Sequence, residues 1–542
     1  MASTEMARPN TQSPSSDVKT PETGPVNKGN SEAIQYPRGM VLVLIVIALV
    51  MTSASPLLTG RNDSQTIVGT AIPKITDEFH GIDDVLWYGS AFFMTVGGFQ
   101  STWGKAYKYF PLKVSYLVSI FIFELGSLIC GVSPSSTAFI FGRAIAGVGA
   151  AGIASGVFTI TAFSAEPKKR STLIGIVGLS YGVASAIGPL IGGVFSDKVT
   201  WRWCFYINLP IGAVAALIVV ICFHTPKHAK PAEASLLEKL SQMDLLGTAL
   251  VMGSIICYIL ALQYGGRVYQ WNSSTVIGLL VGFVVIALVF GGWETLQSER
   301  ATLVPRLMKD RNVWVNSIYT FFFAGSYFVM IYYLPIYFQS IDNVSPSASG
   351  VRNLPLIISF SIAMIVSGGG ITAIGIATPI MAPGAAIATV AAGLLYTLSL
   401  GTGSGKWIGY QILGGVGWGL SFQVPIIAGQ NTVADTDIAP VTAIILFFQT
   451  LGGAFGISAG QAAFVNRIIA SAPIMAPRVN PTALLATGVT ELRLVFPGDQ
   501  ITGVLLAYME GIRAAFAVGI AMAGMAFLIS LFGKWNRIHV QL

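Results

Sequence analysis

The sequence predicts an all-α protein that crosses a membrane many times. Hydrophobic residues make up 53% of the chain and charged residues only 10%, whereas about a quarter of the residues of a soluble domain are charged. From Met40 onward, apolar segments of about 20 residues recur, which is the length that spans a bilayer as a helix. We place about fourteen spans, at 40–59, 86–104, 112–131, 136–160, 172–195, 204–223, 243–263, 275–296, 313–335, 350–369, 376–399, 405–428, 440–462 and 509–532.

The loops between these spans alternate in charge, which predicts the orientation of the chain. Lys and Arg concentrate after the second, fourth, sixth, eighth and last spans, and the intervening loops, such as 132–135 and 264–274, are poor in both. Because cytoplasmic loops carry the excess of positive charge, we expect the basic loops and both termini in the cytoplasm. This topology accounts for the net charge of +7, so no nucleic-acid partner is expected. Two glycosylation sequons, at Asn272 and Asn343, fall on the external side, close to the membrane.

The order of the spans predicts four regions. Residues 1–36 are rich in Ser, Thr, Pro and Asn, lack a signal-peptide pattern, and are expected to form a disordered cytoplasmic tail. Residues 37–225 form an N-terminal six-helix half, and residues 226–298 form a linker with two additional central helices. Residues 299–542 form a C-terminal six-helix half with an external loop at 463–508. Because the insertion has an even number of helices, the second half keeps its orientation.

Signs of an enzyme or a metal site are weak. The four cysteines and four histidines lack metal-ligand spacing, so we expect no metal and no cofactor. Three glycine-rich fragments, 147–152, 178–182 and 401–406, imitate a dinucleotide-binding motif, a nucleophile elbow and a phosphate loop. The first two lie inside predicted spans without the required strands, and the third has Trp407 where a Ser or Thr would hold magnesium. We interpret them as packing or turn glycines, and we do not expect an enzyme.

The fifth span carries a face that is almost bare of side chains. Its small residues recur at steps of three and four, which places Gly175, Gly178, Gly182, Ser185, Pro189 and Gly192 on one side of a helix. Such a face lets a neighbouring helix approach at backbone distance, as small-residue interfaces do in membranes. An ordinary packing stripe would look similar.

Residues 178–193 also resemble the antiporter signature of drug:proton antiporters of the major facilitator superfamily. The residues that carry this resemblance are Gly178, Gly182, Gly188, Pro189, Gly192 and Gly193. Four further stretches, 66–73, 87–91, 142–152 and 201–210, resemble the fungal fourteen-helix drug:proton antiporters that export drugs and toxic secondary metabolites. The resemblance extends from about residue 66 to the C-terminus. It implies a major facilitator fold, in which two six-helix halves flank a central helix pair.

The resemblance implies a function as well as a fold. We expect a monomeric, proton-coupled efflux antiporter of the plasma membrane that exports hydrophobic or amphipathic small molecules by alternating access. Its partners would be a small organic substrate, protons and the lipid bilayer. Two alternatives stay open: a proton-coupled importer of a siderophore or another nutrient, and a non-transporting membrane sensor on the same fold.

Three residues are candidates for proton coupling. Arg143 lies in the fourth span, where a charge is costly, and the resemblance assigns it the arginine that supports proton transfer; a snorkelling anchor is the alternative. The subgroup usually has an aspartate two residues before the Thr-Ile-Val of the first helix, where this chain has Ser64 with Asp63 beside it. Glu124 lies in the middle of the third span and could instead pair with a polar neighbour.

A substrate pocket and a gate loop complete the expectations. Gln423, Gln449, Phe448 and Tyr181 are predicted to line a pocket, because aromatic walls with sparse amides suit amphipathic molecules. Hydrogen bonding between helices is the alternative role of the amides, which include Gln430 and Gln461. Gly104, Lys105 and Lys108 form the predicted cytoplasmic gate loop of the first half. Its counterpart, 368–375, has no charge, so we expect that gate to be held weakly or by packing alone.

Overall fold

Long helices build the fold, and fourteen of those in the described part of the chain have at least 15 residues. The computed structural model describes residues 40–60, 75–76, 78–79, 85–226, 229–496, 498 and 500–534. The long helices are α1 Met40–Gly60, α2 Val85–Tyr109, α3 Leu112–Val132, α4 Ser136–Ser164, α5 Pro167–Lys198, α6 Asn208–Cys222, α7 Leu245–Tyr264, α8 Ser274–Gln297, α9 Arg311–Ser340, α10 Leu354–Ile374, α11 Met381–Tyr396, α12 Ser404–Ser421, α13 Ile438–Met475 and α14 Ile501–Ser530.

Short helices connect the long ones. The α-helical segments among them are Trp203–Tyr206, Leu236–Ser241, Pro305–Met308, Pro346–Arg352, Val424–Gln430, Pro481–Ala486 and Leu492–Val495, and the single 3₁₀ turns are Ser298–Arg300, Thr378–Ile380 and Asp435–Asp437. Within the described residues no strand occurs, and one isolated bridge joins Gly265 to Tyr269. The prediction of an all-α protein is therefore confirmed.

Local sequence explains where several helices begin and end. The side chains of Ser135 and Asp244 accept hydrogen bonds from the backbone N–H groups of the first turns of α4 and α7. These caps satisfy donors that a helix start leaves free. At the other end, α10 stops at Gly375, whose φ of 73° lies in the left-handed region that glycine adopts at low cost.

Eleven helical segments of the described chain are long and apolar enough to cross a membrane. The long helices outside that set are α1, α2 and α5, which are shorter in their apolar part or more polar than the rest. The protein is therefore a polytopic membrane protein, whereas a count of fourteen spans stays a prediction.

The helices pack in two groups with the α7–α8 pair beside them. In the first group α4 packs on α2 and α3, and α1 packs on α5 and α6. In the second group α9 packs on α13 and α14, while α12 packs on α10 and α11. The groups meet mainly where α5 crosses α10 and α2 crosses α13, and α4 also contacts α13; helix α7 contacts both α2 and α13.

The predicted external loop at 463–508 is too long. Helix α13 continues to Met475 and α14 already begins at Ile501, so the connection covers only 476–500. The small and apolar residues after Gln461 continue the helix, and Pro473 lies in its last turns rather than before them. Because proline lacks the N–H that would bond to the preceding turn, it is a helix breaker, and α13 ends two residues after it, at Met475.

A candidate transport cavity between the two halves

A cavity with a volume of about 370 Å³ lies between the two groups of helices. Sites for small organic ligands have volumes of about 300–1,000 Å³. Helices α1, α2, α4, α5, α7, α9 and α13 contribute its walls, so both halves and the central pair enclose it. Its aromatic side chains are Phe92, Phe93, Phe158, Phe328 and Tyr332, and its amides are Gln100, Gln263, Gln449 and Gln461.

Gln449 is the predicted pocket residue that the structure places in this wall. Its side chain is only 4% exposed, and its Nε2 has no hydrogen-bond partner in the described chain. A buried polar group without a partner costs free energy unless a ligand or water satisfies it. Gln449 is therefore available to bind a polar group of a molecule inside the cavity.

The other predicted pocket residues lie elsewhere. Gln423 is buried at the break between α12 and Val424–Gln430 and is not part of the cavity wall. Phe448 packs edge-to-face on Phe447, 5.4 Å between ring centroids, and does not line the cavity either. Phe448 and Gln449 are neighbours on α13, about 100° apart around the helix, so they face different surroundings. The side chain of Tyr181 lies outside the described residues.

The remaining amides divide between structural and cavity roles. Gln430 donates to Thr442 Oγ1 at 2.9 Å, which is the interhelical role left open above. Gln461 lines the cavity, but its Oε1 accepts from the hydroxyl of Tyr333 at 2.9 Å. Gln100 on α2 also lines the cavity and donates to Ser155 Oγ at 2.6 Å. Sequence analysis missed Gln100 and Gln263, although each is an isolated amide in an otherwise apolar stretch.

Arg143 is buried between α4 and α2, behind the cavity wall. Its side chain is 1% exposed, its Nε donates to the carbonyl oxygen of Tyr88 at 2.7 Å, and its guanidinium carbon lies 4.5 Å from the ring centroid of Phe92. Because Phe92 lines the cavity, Arg143 is one side chain away from it. A fully buried guanidinium does not fit the alternative of an anchor that snorkels to the membrane surface.

The two predicted acids are not placed at the cavity by the structure. Glu124 of α3 faces α6, where a Cβ at Gly212 would overlap its Oε1, and its Oε2 has no hydrogen-bond partner. Glu124 is absent from the described wall of the cavity. Asp63 lies outside the described residues.

The glycine face of α5 packs against α10 at backbone distance. A Cβ at Gly175 would come within 2.9 Å of the carbonyl oxygen of Met364, and one at Gly178 would overlap the Met364 side chain. In the other direction, a Cβ at Gly368 of α10 would overlap the carbonyl oxygen of Ser171. Gly188 and Gly192 are buried further along α5, and the side-chain positions of Gly182, Pro189 and Gly193 lie outside the described residues.

The predicted gate residues join the two halves at the end of the molecule that carries the basic loops. We call this the basic end. It consists of the loops 110–111, 165–166, 223–244 and 298–310 together with the adjoining helix ends, which carry many of the Lys and Arg residues. A Cβ at Gly104 would overlap Ala443 of α13. Lys105 Nζ donates to the carbonyl oxygen of Glu299 at 3.2 Å, and Lys108 Nζ pairs with Asp437 Oδ1 at 3.0 Å.

Arg306 extends this charged contact. It pairs with Asp437 at 3.0 Å and with Glu299 at 2.8 Å. The hydrogen bonds to Glu299 and Asp437 raise the pKa of Arg306 above its usual range. Asp437 therefore holds two cations, Lys108 from the first half and Arg306 from the segment that precedes α9 in the second half.

These contacts lie between the cavity and the basic end. Along α2, residues 90–100 line the cavity, and residues 104–108 contact α13, Asp437 and Glu299. Along α13, residues 446–465 line the cavity and residues 439–443 contact α2. The halves are thus closed at the basic end, and the loops that hold the exposed Asn272 and Asn343 lie at the opposite ends of their helices.

Two helical halves that enclose a central cavity have the architecture of a secondary transporter. The profile of the Major Facilitator Superfamily matches residues 63–457. The "MFS-type transporter grgE" of Penicillium sp is 57% identical over 94% of this chain and 89% of that protein. The "Probable efflux pump gsfJ" of Penicillium aethiopicum is 50% identical over 93% of this chain and 90% of that protein.

A solved structure agrees on the fold. The proton:xylose symporter XylE bound to 6-bromo-6-deoxy-D-glucose superposes with a TM-score of 0.57, at 11% identity, over 90% of this chain and 94% of that chain. The protein is a transporter that belongs to the Major Facilitator Superfamily. The relatives identify it with the fungal efflux group that the motifs indicated.

Proposed function

We propose that the protein is a proton-coupled efflux antiporter that exports hydrophobic or amphipathic small molecules across the plasma membrane. The observation that carries this proposal is the cavity of about 370 Å³, which has aromatic walls and the unpaired buried amide of Gln449. Such a site binds an apolar ring system by contact and orients it with few polar groups. The names of the relatives support export of a small molecule.

Alternating access would follow from opening and closing the two ends of this cavity. If the basic loops are cytoplasmic, as the positive-inside rule predicts, the structure is closed toward the cytoplasm. The contacts α2–α13 and α5–α10 would then separate to admit cargo from the cytoplasm and re-form before its release outside. The antiporter motif on α5 would act in this step through Gly178, which allows the close approach to Met364.

Proton coupling needs groups that titrate, and we propose Asp63 and Glu124 for this role, whereas Arg143, which stays charged, would support the proton transfer. Arg143 is supported by its burial directly behind Phe92. We expect Arg143→Ala to lose proton-driven export while protein abundance in the membrane is unchanged. Normal export by this variant in vesicles would remove Arg143 from the coupling mechanism.

Transport by the purified, full-length protein in proteoliposomes tests the function. Labelled amphipathic aromatic compounds should move in the direction opposite to the flow of protons, and a protonophore should abolish their accumulation. Movement of cargo in the same direction as protons would instead identify an importer. No movement of any compound would favour a sensor and overturn the proposal.

A variant of the wall connects transport to this cavity. We expect Gln449→Leu to raise KM about tenfold, because a hydrogen bond in a buried site contributes about 1–1.5 kcal/mol. Gln411→Met is the matched control: Gln411 is a buried amide that bonds to the carbonyl oxygen of Arg352, outside the cavity. An equal effect of the two variants would mean that loss of any membrane amide, rather than of a cargo contact, lowers transport.

A further inference from the structure

Helix α7 belongs to the central pair, yet it packs on one helix of each half. On one side Tyr258 stacks on Phe455 of α13, with 3.9 Å between the ring centroids. On the other side Met252 lies so close to α2 that a Cβ at Gly98 would overlap its side chain. Helix α7 therefore lies across the seam between α2 and α13, where the two halves meet.

The loop after α7 is also attached to the second half. Trp271 Nε1 donates to Asn466 Oδ1 of α13 at 3.0 Å, and Asn466 Nδ2 donates to the carbonyl oxygen of Gly265 at 3.5 Å. Gly266 has a φ of 77°, and a Cβ there would overlap Asn466 Oδ1. These contacts position the loop at the end of the cavity that faces away from the basic end.

As a result, α7 and its loop are part of the cavity wall. Ile259, Leu262 and Gln263 of α7 line the cavity, and Arg267 lines it from the loop. Gln263 also lines a smaller cleft beside Trp87 of α2. The Oε1 of Gln263 is buried without a hydrogen-bond partner in the described chain, so it has an unused acceptor next to both spaces.

The described wall of the cavity carries a positive charge and no negative charge. Arg267 is the only charged side chain among the described residues that line the cavity, it is exposed, and in the described chain it has neither an ion pair nor a hydrogen bond. The other polar groups among the described residues of the wall are neutral amides and hydroxyls. In this described wall an anionic molecule would find a cation and several donors, whereas a cationic molecule would lose water without meeting a carboxylate.

We propose that α7 is a wall of the cargo site, that Arg267 selects weakly acidic aromatic molecules, such as phenols and carboxylic acids, over cations, and that Gln263 binds a hydroxyl group of the cargo. This inference rests on the proposed export function and specifies its cargo class. Arg267 attracts the ionised group at the end of the cavity that faces away from the basic end. Gln263 accepts a hydrogen bond from a hydroxyl group further inside.

Three probes with one ring system test the inference: 2-naphthoic acid, 2-naphthalenemethanol and 2-naphthalenemethylamine, which are anionic, neutral and cationic at pH 7. Equilibrium binding of each labelled probe is measured on the full-length protein in lipid nanodiscs. The wild type should bind the acid at least about tenfold more tightly than the amine, since single charge contacts contribute about 1 kcal/mol each and the two charges act in opposite directions.

Variants assign this preference to α7 and its loop. Arg267→Gln should weaken binding of the acid about fivefold and leave the alcohol unchanged, because an exposed charge contact contributes up to about 1 kcal/mol. Arg267→Glu should reverse the order of acid and amine. Gln263→Leu should weaken binding of the alcohol. Lys406→Gln removes an exposed cation at the start of α12, away from the cavity, and should change nothing.

The outcomes separate this inference from the proposed function. If the amine binds or is exported as well as the acid, or if Arg267→Gln leaves acid binding unchanged, the cargo class is wrong while export stands. If no probe binds to the wild type, the inference is overturned, and the transport assay with other amphipathic compounds decides the function separately. At 1 M salt the advantage of the acid should shrink, because the Debye length falls to about 3 Å.

Discussion

Two contacts close the basic end of the molecule, and they differ in chemistry. Between α2 and α13, Asp437 is held by Lys108 and Arg306, so charge joins the halves. Between α5 and α10, Gly175 and Gly368 bring the backbones together. A side-chain hydrogen bond between the Thr172 and Thr372 hydroxyls, at 2.8 Å, accompanies that packing in the described part of α5.

The difference indicates how each contact responds when the halves separate. Charged groups near the surface can exchange their partners for water, so the α2–α13 contact should open with a modest loss of free energy. Glycine packing has no such substitute, because its attraction depends on close fit and falls off as soon as the backbones move apart. We therefore expect the α5–α10 contact to decide whether the basic end closes, and the α2–α13 contact to tune how often it does.

The largest effect is expected at Gly368. Gly368→Ala would place a Cβ against the carbonyl oxygen of Ser171, and overpacking of this kind costs about 1–3 kcal/mol, which lowers the ratio of closed to open states about fivefold to 150-fold. Hydrogen exchange of residues 171–178 should become faster, and transport should slow. Gly369→Ala is the matched control, since a Cβ there meets open space. Equal effects of both variants would contradict a role for close packing.

An intermediate effect is expected at Asp437. Its side chain is 9% exposed and its partners Lys108 and Arg306 are 18% and 53% exposed, so solvent screens the contact in part. Asp437→Asn should destabilise the closed state by about 1–2 kcal/mol and speed hydrogen exchange of residues 437–443. High salt should reproduce part of this change in the wild type.

Asp435→Asn is the control for this prediction, because Asp435 is an exposed acid in the same turn. If salt and Asp437→Asn both leave exchange and transport unchanged, the ion pairs do not contribute to closure. Of the two contacts, the α5–α10 packing would then be the one that contributes to closure.

The smallest effect is expected at Thr172. Thr172→Val removes one partner of the Thr172–Thr372 hydrogen bond and should weaken closure by about 0.5–1.5 kcal/mol. The double variant Thr172→Val, Thr372→Val should lie closer to the wild type, because no polar group is then left without a partner. Hydrogen exchange of residues 171–178 measures both. A double variant that is worse than either single one would show that the hydroxyls have other roles here.

The predicted pocket illustrates how far sequence reasoning reaches. The sequence shows isolated amides in apolar spans, and one of them, Gln449, lies in the cavity wall. Gln423 and Phe448 have the same kind of sequence context but do not line the cavity. The face that a membrane helix turns toward a cavity cannot be deduced from periodicity when every face of the helix is apolar.

The sequence by itself determined that the protein is helical, that it lies in a membrane and that α5 has a face open to close approach, because apolar length and residue size are local properties. Only the tertiary structure decided that α10 covers this face at Gly175 and Gly178, that Asp437 pairs with Lys108, and that α7 takes part in the cavity wall. Residues 108 and 437 lie on different halves, and their meeting depends on how the helices cross. That crossing results from packing across the whole fold, which no single stretch of sequence specifies.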